Sequence, residues 1–216
     1  MNKPKPRWHR RKEARPEEIV AAALEAFAEH GYEGTRLDDV ARRAGVTKGT
    51  IYLYFKSKED LFQAVVRQTV VPILARSEEE VANYQGSSAD LLRTMVRGWW
   101  DVVSNTPLSG VVKLIVAEAT NFPEVTRFYY KEVIRRGQQL FAQVLQRGVD
   151  SGEFRPVDVM LTVRLVTAPL LLTVLHTHSL YRCVREPFDI DRYIDTHLDM
   201  LLRGLAPAPI GELNHV

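Results

Sequence analysis

Cysteine is almost missing from the 216 residues, Cys183 being the only one. A lone thiol forms no internal disulfide and builds no cysteine-rich zinc site, which fits a reducing compartment. Nothing beside it in sequence points to a lowered pKa, so an inert thiol is expected. Long apolar runs are missing too. The longest stretch without Asp, Glu, Lys or Arg is 165–181, and Pro169, His176, His178 and several hydroxyl side chains interrupt it. It is short and polar for a membrane span and reads as a buried helix. No apolar segment follows the basic N-terminus MNKPKPRWHRRKEAR, so this is no secretory signal and a cytoplasmic protein is expected. Strands with period-two alternation are absent, as are a nucleophile elbow, a phosphate loop and a zinc-protease motif. The expectation is therefore no enzyme, no cofactor and no metal. His176 and His178 do not alter it, because two positions on a regular helix point about 200° apart and cannot chelate one ion.

An excess of one charge sign is also lacking over the whole chain, whose formal net charge is +2. Its distribution is uneven. Residues 1–58 carry 13 Lys and Arg against 8 Asp and Glu, whereas residues 59–216 carry 16 against 19. Positive charge gathers at the N-terminal end, where a polyanionic partner is best served.

What is present is helical periodicity. Apolar residues recur at three and four positions between clusters of Pro, Gly, Asn and Asp, and 45% of residues are hydrophobic, enough for a small N-terminal core joined to a larger one. An all-α fold of about nine helices follows. Residues 1–14 read as a flexible basic arm, 15–57 as a three-helix unit, 58–206 as a helical bundle and 207–216 as a tail. The first helix is expected over 16–30, with Pro16 at the first position, Glu17 and Glu18 in the first turn and Gly31 as the stop. Thr35 is expected to cap a second helix carrying Leu37, Val40, Ala41 and Ala44, which Gly45 ends. Thr47 caps a short third helix, and Ser57 with Asp60 opens a fourth. Later helices are expected at about 58–83, 88–104, 107–120, 123–150, 157–181 and 189–204. Pro72 should bend the first of these or split it in two.

Two short helices joined by Gly45-Val46 over 36–55 have the proportions of a helix-turn-helix. On the second, Ile51 and Phe55 lie four apart and face inward, leaving Lys48, Gly49, Thr50, Tyr52 and Tyr54 outside. Lysine reaches a phosphate or a guanine edge, threonine offers a hydroxyl and a methyl, and tyrosine hydroxyls bond phosphates. Gly49 lets backbone approach a duplex closely. An ordinary helical hairpin would show the same periodicity. The basic arm, the charge asymmetry and Lys56-Ser57-Lys58 all lie beside this one short helix and favour double-stranded DNA as partner.

The stretch from Pro16 to Val66, above all GYEGTRLDDVARRAGVTKGTIYLYFKSKEDLFQAVV, resembles the DNA-binding domain of the tetracycline-repressor (TetR) family. The resemblance rests on Gly31-Tyr32, Thr35, Val40-Ala41, Ala44-Gly45-Val46, Tyr52, Tyr54-Phe55 and Lys58 in that order. It implies a homodimeric, effector-responsive regulator, more often a repressor, that binds a palindromic operator and is released by a small apolar or aromatic ligand. Arg36, Lys48, Gly49, Thr50, Tyr52 and Tyr54 would contact DNA and Lys58 would grip a phosphate. Leu53 sits where members vary and receives no role.

Beyond residue 66 the resemblance is weaker. GVDSGEFRPVD resembles the turn before the last two helices, so 157–204 would form a four-helix interface with a second copy. Ile190, Tyr193, Ile194, His197, Leu198 and Leu201, continuing to Leu205, make the stripe suited to it, with packing inside one subunit as the alternative. Trp99, Trp100, Phe122, Tyr129 and His176 are the candidates for lining an effector pocket. A protein of another class fits less well: a helical interaction module that kept the fold and lost DNA binding.

Overall fold

The computed structural model describes residues 16–180 and 188–207, and every regular element among them is helical. The basic arm, Cys183 and residues 208–216 lie outside the described residues.

Helix α1 spans Pro16–Gly34 and buries Ile19, Val20, Ala23 and Phe27. Its expected stop at Gly31 is a break inside the helix: Gly31 takes φ 72°, ψ −178°, a conformation open essentially to glycine alone, and a further turn carries Tyr32 into the core. The break also corrects the role of Thr35. Arg36 (φ −105°, ψ 137°), without a side-chain cap, precedes α2 (Leu37–Ala44), while Thr35 turns inward and is 2% exposed. Its hydroxyl lies 3.0 Å from the carbonyl of Ala26 and 2.6 Å from that of Gly31, so it ties together backbone before the break and at it. Thr35→Val is expected to cost about 1–2 kcal/mol, read by urea unfolding. An unchanged midpoint would show that the two carbonyls do not need it.

Helix α3 is Lys48–Tyr54 and α4 is Lys58–Thr69. The helix expected over 58–83 is two, since α5 (Val71–Asn83) begins after Val70. Pro72, the second residue of α5, has no N–H to give the carbonyl of Gln68, and the ladder is interrupted there. Helix α6 (Ser88–Ser104) is capped by the Ser87 hydroxyl, which accepts from the Asp90 N–H at 3.0 Å. Next come α7 (Leu108–Glu118) and α8 (Pro123–Tyr129), which runs through a π-helical turn at Tyr130–Ile134 into α9 (Arg135–Asp150). Helix α10 (Val159–Leu175) continues into a second π-helical stretch, His176–Leu180, and α11 is Ile190–Leu205.

The chain divides into two compact units. The first takes the residues up to Pro72 together with Gly110–Tyr130. Phe27 and Phe62 meet edge to face at 5.4 Å between ring centres, and Tyr32 lies 5.8 Å from both. Phe122 joins this cluster, 4.7 Å from the Tyr32 ring.

The second unit takes Ile73–Ser109 and the residues from Lys131 onward. Its core is drawn from α6, α9, α10 and α11, with Leu92, Val96, Val144, Leu145, Leu170 and Val174 fully buried. Ile194, Leu198 and Leu205, expected on a dimer surface, are 2–4% exposed inside this same core, with Ile190, Tyr193 and Leu201 packed against it. His197 donates a ring N–H to the carbonyl of Val166 at 3.0 Å. Ile194 and Leu198 thus pack within their own unit, while Ile190, Tyr193, His197 and Leu201 of the same stripe remain part-exposed. A more open apolar face lies on α10, where Leu161, Leu165 and Leu172 are 53–64% exposed at helical spacing. Among the described residues one helix, Val159–Ser179, is long and apolar enough to cross a membrane. One side of it, with Val163, Val166, Leu170 and Val174, is buried in the second unit's core.

Candidate nucleic-acid interface

Helix α2 ends in a turn set by two backbone bonds. The N–H of Gly45 (φ 68°, ψ 28°) reaches the carbonyl of Arg42 at 3.3 Å, and that of Val46 reaches Ala41 at 2.9 Å. This is the Schellman arrangement, and its left-handed residue is why glycine stands at 45. The next helix is capped as the sequence leads one to expect, the Thr47 hydroxyl accepting from the Thr50 N–H at 3.2 Å. Ser57 caps α4 by accepting from the Asp60 N–H at 3.1 Å, while the Asp60 carboxylate accepts from the Lys56 N–H at 2.9 Å.

Ile51, fully buried, anchors α3 to the core, and Phe55 follows it at 6% exposure. At 100° per residue Gly49 and Leu53 fall opposite Ile51, Lys48 and Tyr52 on one flank, and Thr50 and Tyr54 on the other. Tyr52 and Tyr54 are about half exposed and Leu53 is 81% exposed. A side chain at Gly49 would meet only the Thr47 hydroxyl, at 3.7 Å, so nothing within the fold demands glycine there. Arg36, at the start of α2, is exposed.

Three polar contacts were not foreseen from sequence. Lys48 is not waiting unpaired: its ammonium lies 2.9 Å from Asp38 of α2, and this hydrogen bond raises its pKa above the ordinary lysine value. Thr50 shares a 2.9 Å hydroxyl contact with Thr47, which turns its oxygen toward the cap. Lys58, expected on a phosphate, gives its ammonium to the carbonyls of Tyr32 (2.8 Å), Glu33 (3.2 Å) and Thr35 (3.2 Å) and lies 4.7 Å above the Tyr32 ring. Burial lowers its pKa, opposed by the charges of Glu33 and Glu118. An ammonium has three protons, and here three carbonyls at the end of α1 surround it. Burial, then the charge of Glu59, pushes the neighbouring Tyr32 hydroxyl up to about 12.

The residues proposed for an effector pocket belong to both units. Phe122 packs on Tyr32, and Tyr129 is buried in the first unit, where desolvation raises its pKa. Trp99 and Trp100 belong to the second unit's core, and His176 opens the π-helical stretch after α10. A cleft of about 400 Å³ on the second unit is lined by Arg93, Arg97, Asp195, Asp199 and Arg203 with Leu198 and Leu202. Its charges are paired, Arg97 with Asp195 and Arg203 with Asp199, so it does not suit an apolar ligand.

A bihelical unit with this turn, cap and outer face matches the family description "Bacterial regulatory proteins, tetR family" over residues 19–65, and residues 84–183 match "Tetracyclin repressor-like, C-terminal domain". The chain belongs to the TetR family. This TetR-family protein is a DNA-binding transcription regulator. The fatty acid metabolism regulator protein of Bacillus subtilis is 25% identical to it over 196 residues, covering 90% of this chain and 98% of that one. The transcriptional repressor KstR2 of Rhodococcus jostii is 29% identical over 197 residues, covering 90% and 93%. The solved structure of FadR from Bacillus subtilis in complex with stearoyl-CoA has the same fold, with a TM-score of 0.73 at 23% identity, covering 88% of this chain and all of that one.

Proposed function

We propose that this regulator is an effector-responsive repressor that binds a near-palindromic operator as a homodimer in the cytoplasm and leaves it when an apolar ligand binds the second unit. The observation that carries this is the outer face of α3. Gly49 and Leu53 stand outermost, Lys48 and Tyr52 form one flank, Thr50 and Tyr54 the other, and Arg36 starts α2 beside them. Lys48 and Tyr52 supply base-edge and phosphate contacts, Tyr54 and Arg36 phosphate contacts, and Gly49 the close backbone approach. Lys58 acts one step back, by holding the end of α1 against the start of α4.

The exposed leucines of α10 supply the surface for a second copy, because an apolar stripe of this length on a soluble regulator needs a cover. Two copies present two α3 helices, which must reach successive major grooves about 34–36 Å apart. A ligand that changes this spacing needs about 1–3 kcal/mol of differential affinity to shift occupancy several-fold or more. The names of the relatives make long-chain acyl-CoA the first compound to test.

The deciding experiment is selection of genomic fragments by the purified protein, followed by footprinting at near-physiological salt. A protected near-palindrome whose affinity falls steeply with salt is expected. No selective protection by an intact dimer would favour the interaction-module reading instead. Pro72→Ala, which lets α4 and α5 fuse, is expected to change the effector response at least about threefold while moving effector-free affinity less than about twofold. Equal changes in both would reject this role for Pro72.

A further inference from the structure

Leu53 is the most exposed large apolar side chain of the described residues, at 81%, and it occupies the part of α3 farthest from the core. Tyr52 and Tyr54 on either side of it are about half exposed. A leucine on a solvent face is unremarked in most proteins. Here its surroundings give it a direction. Helical side chains lean toward the N-terminus, so Leu53 leans over the preceding turn, and the residue below it is Gly49, which has no side chain to cover it. The outermost ridge of the helix is thus bare backbone and one leucine, with polar groups confined to the two flanks.

We propose that Leu53 determines operator sequence by resting on the 5-methyl group of a thymine in the major groove. The methyl of thymine is the one apolar group that base edges present there. Guanine, adenine and cytosine offer donors and acceptors at that depth, and a leucine pressed on them removes water without replacing its hydrogen bonds. On the flanks the polar ends of Lys48 and Thr50 are held back, on Asp38 and on Thr47, which leaves Leu53 foremost on the helix. One thymine per half-site is therefore fixed beneath Leu53, in addition to whatever Lys48 and Tyr52 read. This assignment rests on the DNA-binding reading above.

The test uses the full-length protein and a synthetic duplex carrying its selected operator, with each thymine replaced singly by uracil, which removes the methyl and keeps the base pair. For the unaltered protein, one position per half-site is expected to lose about fourfold in affinity, and about fifteenfold when both half-sites are changed. In Leu53→Ala the same replacement should matter by less than about 1.5-fold. Placing 5-methylcytosine where thymine had been exchanged for cytosine should restore part of the binding to the unaltered protein alone. Equal uracil losses in both proteins, or a half-site with no methyl-sensitive thymine, would overturn the proposal. Leu53 supports no packing, so unfolding midpoints should agree between the two proteins. Failure of DNA binding itself looks different: the unaltered protein would then select no sequence, and the assignment falls with it.

Discussion

Lys48→Ala combined with Tyr52→Phe is expected to lower operator affinity at least about a hundredfold and to flatten its preference over random duplex, with dimer and melting behaviour unchanged. Both side chains lie on one flank of α3 and about half of each is exposed, so the fold does not rest on them. A lysine at a base edge is worth about 1–3 kcal/mol and a neutral hydroxyl bond about 1 kcal/mol, and the proposed two-fold dimer would lose each contact twice. Asp38 makes the lysine matter more. In the unbound protein its carboxylate holds the ammonium at 2.9 Å, and Lys48→Ala leaves that carboxylate facing the phosphates with nothing to neutralise it. Adding Asp38→Asn should therefore recover part of the loss. The salt dependence of binding should become shallower by about two counterions, one for each lysine removed. Binding isotherms at several salt concentrations decide the matter, and unchanged selection by the double variant would remove Lys48 and Tyr52 from the interface.

The helix-turn-helix was legible because its signals are local. Thr47 and Ser57 cap the helices that follow them, and Gly45 takes the left-handed conformation that its place after Ala44 suggests. Thr35 shows where local logic stops. It stands at the usual distance before a helix, but its hydroxyl turns instead to the carbonyls of Gly31, at the break, and of Ala26. Lys58 follows the same rule at longer range, since its carbonyl partners lie 23 to 26 residues away in sequence. Charge patterning marks a lysine beside a DNA-reading helix and does not say what it already holds.

The second unit was less legible for a different reason. Helical periodicity reports that a face is covered and not which chain covers it, so the stripe of α11 fitted a dimer surface as well as a core. Ile194 and Leu198 pack in the core while Ile190, Tyr193, His197 and Leu201 stay part-exposed, and the open stripe on α10 had been hidden in a helix apolar on nearly every side. Aromatic content is equally silent about which neighbours a ring will meet. Phe122 suits a pocket by type, but it packs on Tyr32 within the first unit. The π-helical turns at Tyr130–Ile134 and His176–Leu180 have no sequence signature that periodicity detects.

Gly110→Leu is expected to leave effector-free operator affinity within about fivefold and to reduce the effector's influence on it to about twofold or less. Gly110 lies in the first turns of α7, and a Cβ there would come within 2.5 Å of the Ala28 Cα and 2.7 Å of its carbonyl oxygen. Only a residue without a side chain lets α7 lie this close to the backbone of α1. At the other end of the same segment Phe122 meets Tyr32, and the guanidinium of Arg67 lies 5.1 Å from the Phe128 ring. The stretch 110–130 thus grips α1 and α4 at both ends, while in the chain it is joined on either side to residues of the second unit. On the reading proposed above, this chain continuity is the covalent route by which an effector bound in the second unit would reach the helices that carry α3. A leucine at 110 makes α7 withdraw, at a cost of about 1–3 kcal/mol, the size of the coupling it would have to transmit. The aromatic cluster of Phe27, Tyr32 and Phe62 stays in place and keeps the helix-turn-helix competent to bind. Gly110→Ala should fall between the two. The measurement is operator affinity with and without saturating long-chain acyl-CoA, or the ligand that a thermal-shift screen supplies. A Gly110→Leu protein released from DNA as fully as the unaltered one would show that the signal travels through Pro72 and α4 instead.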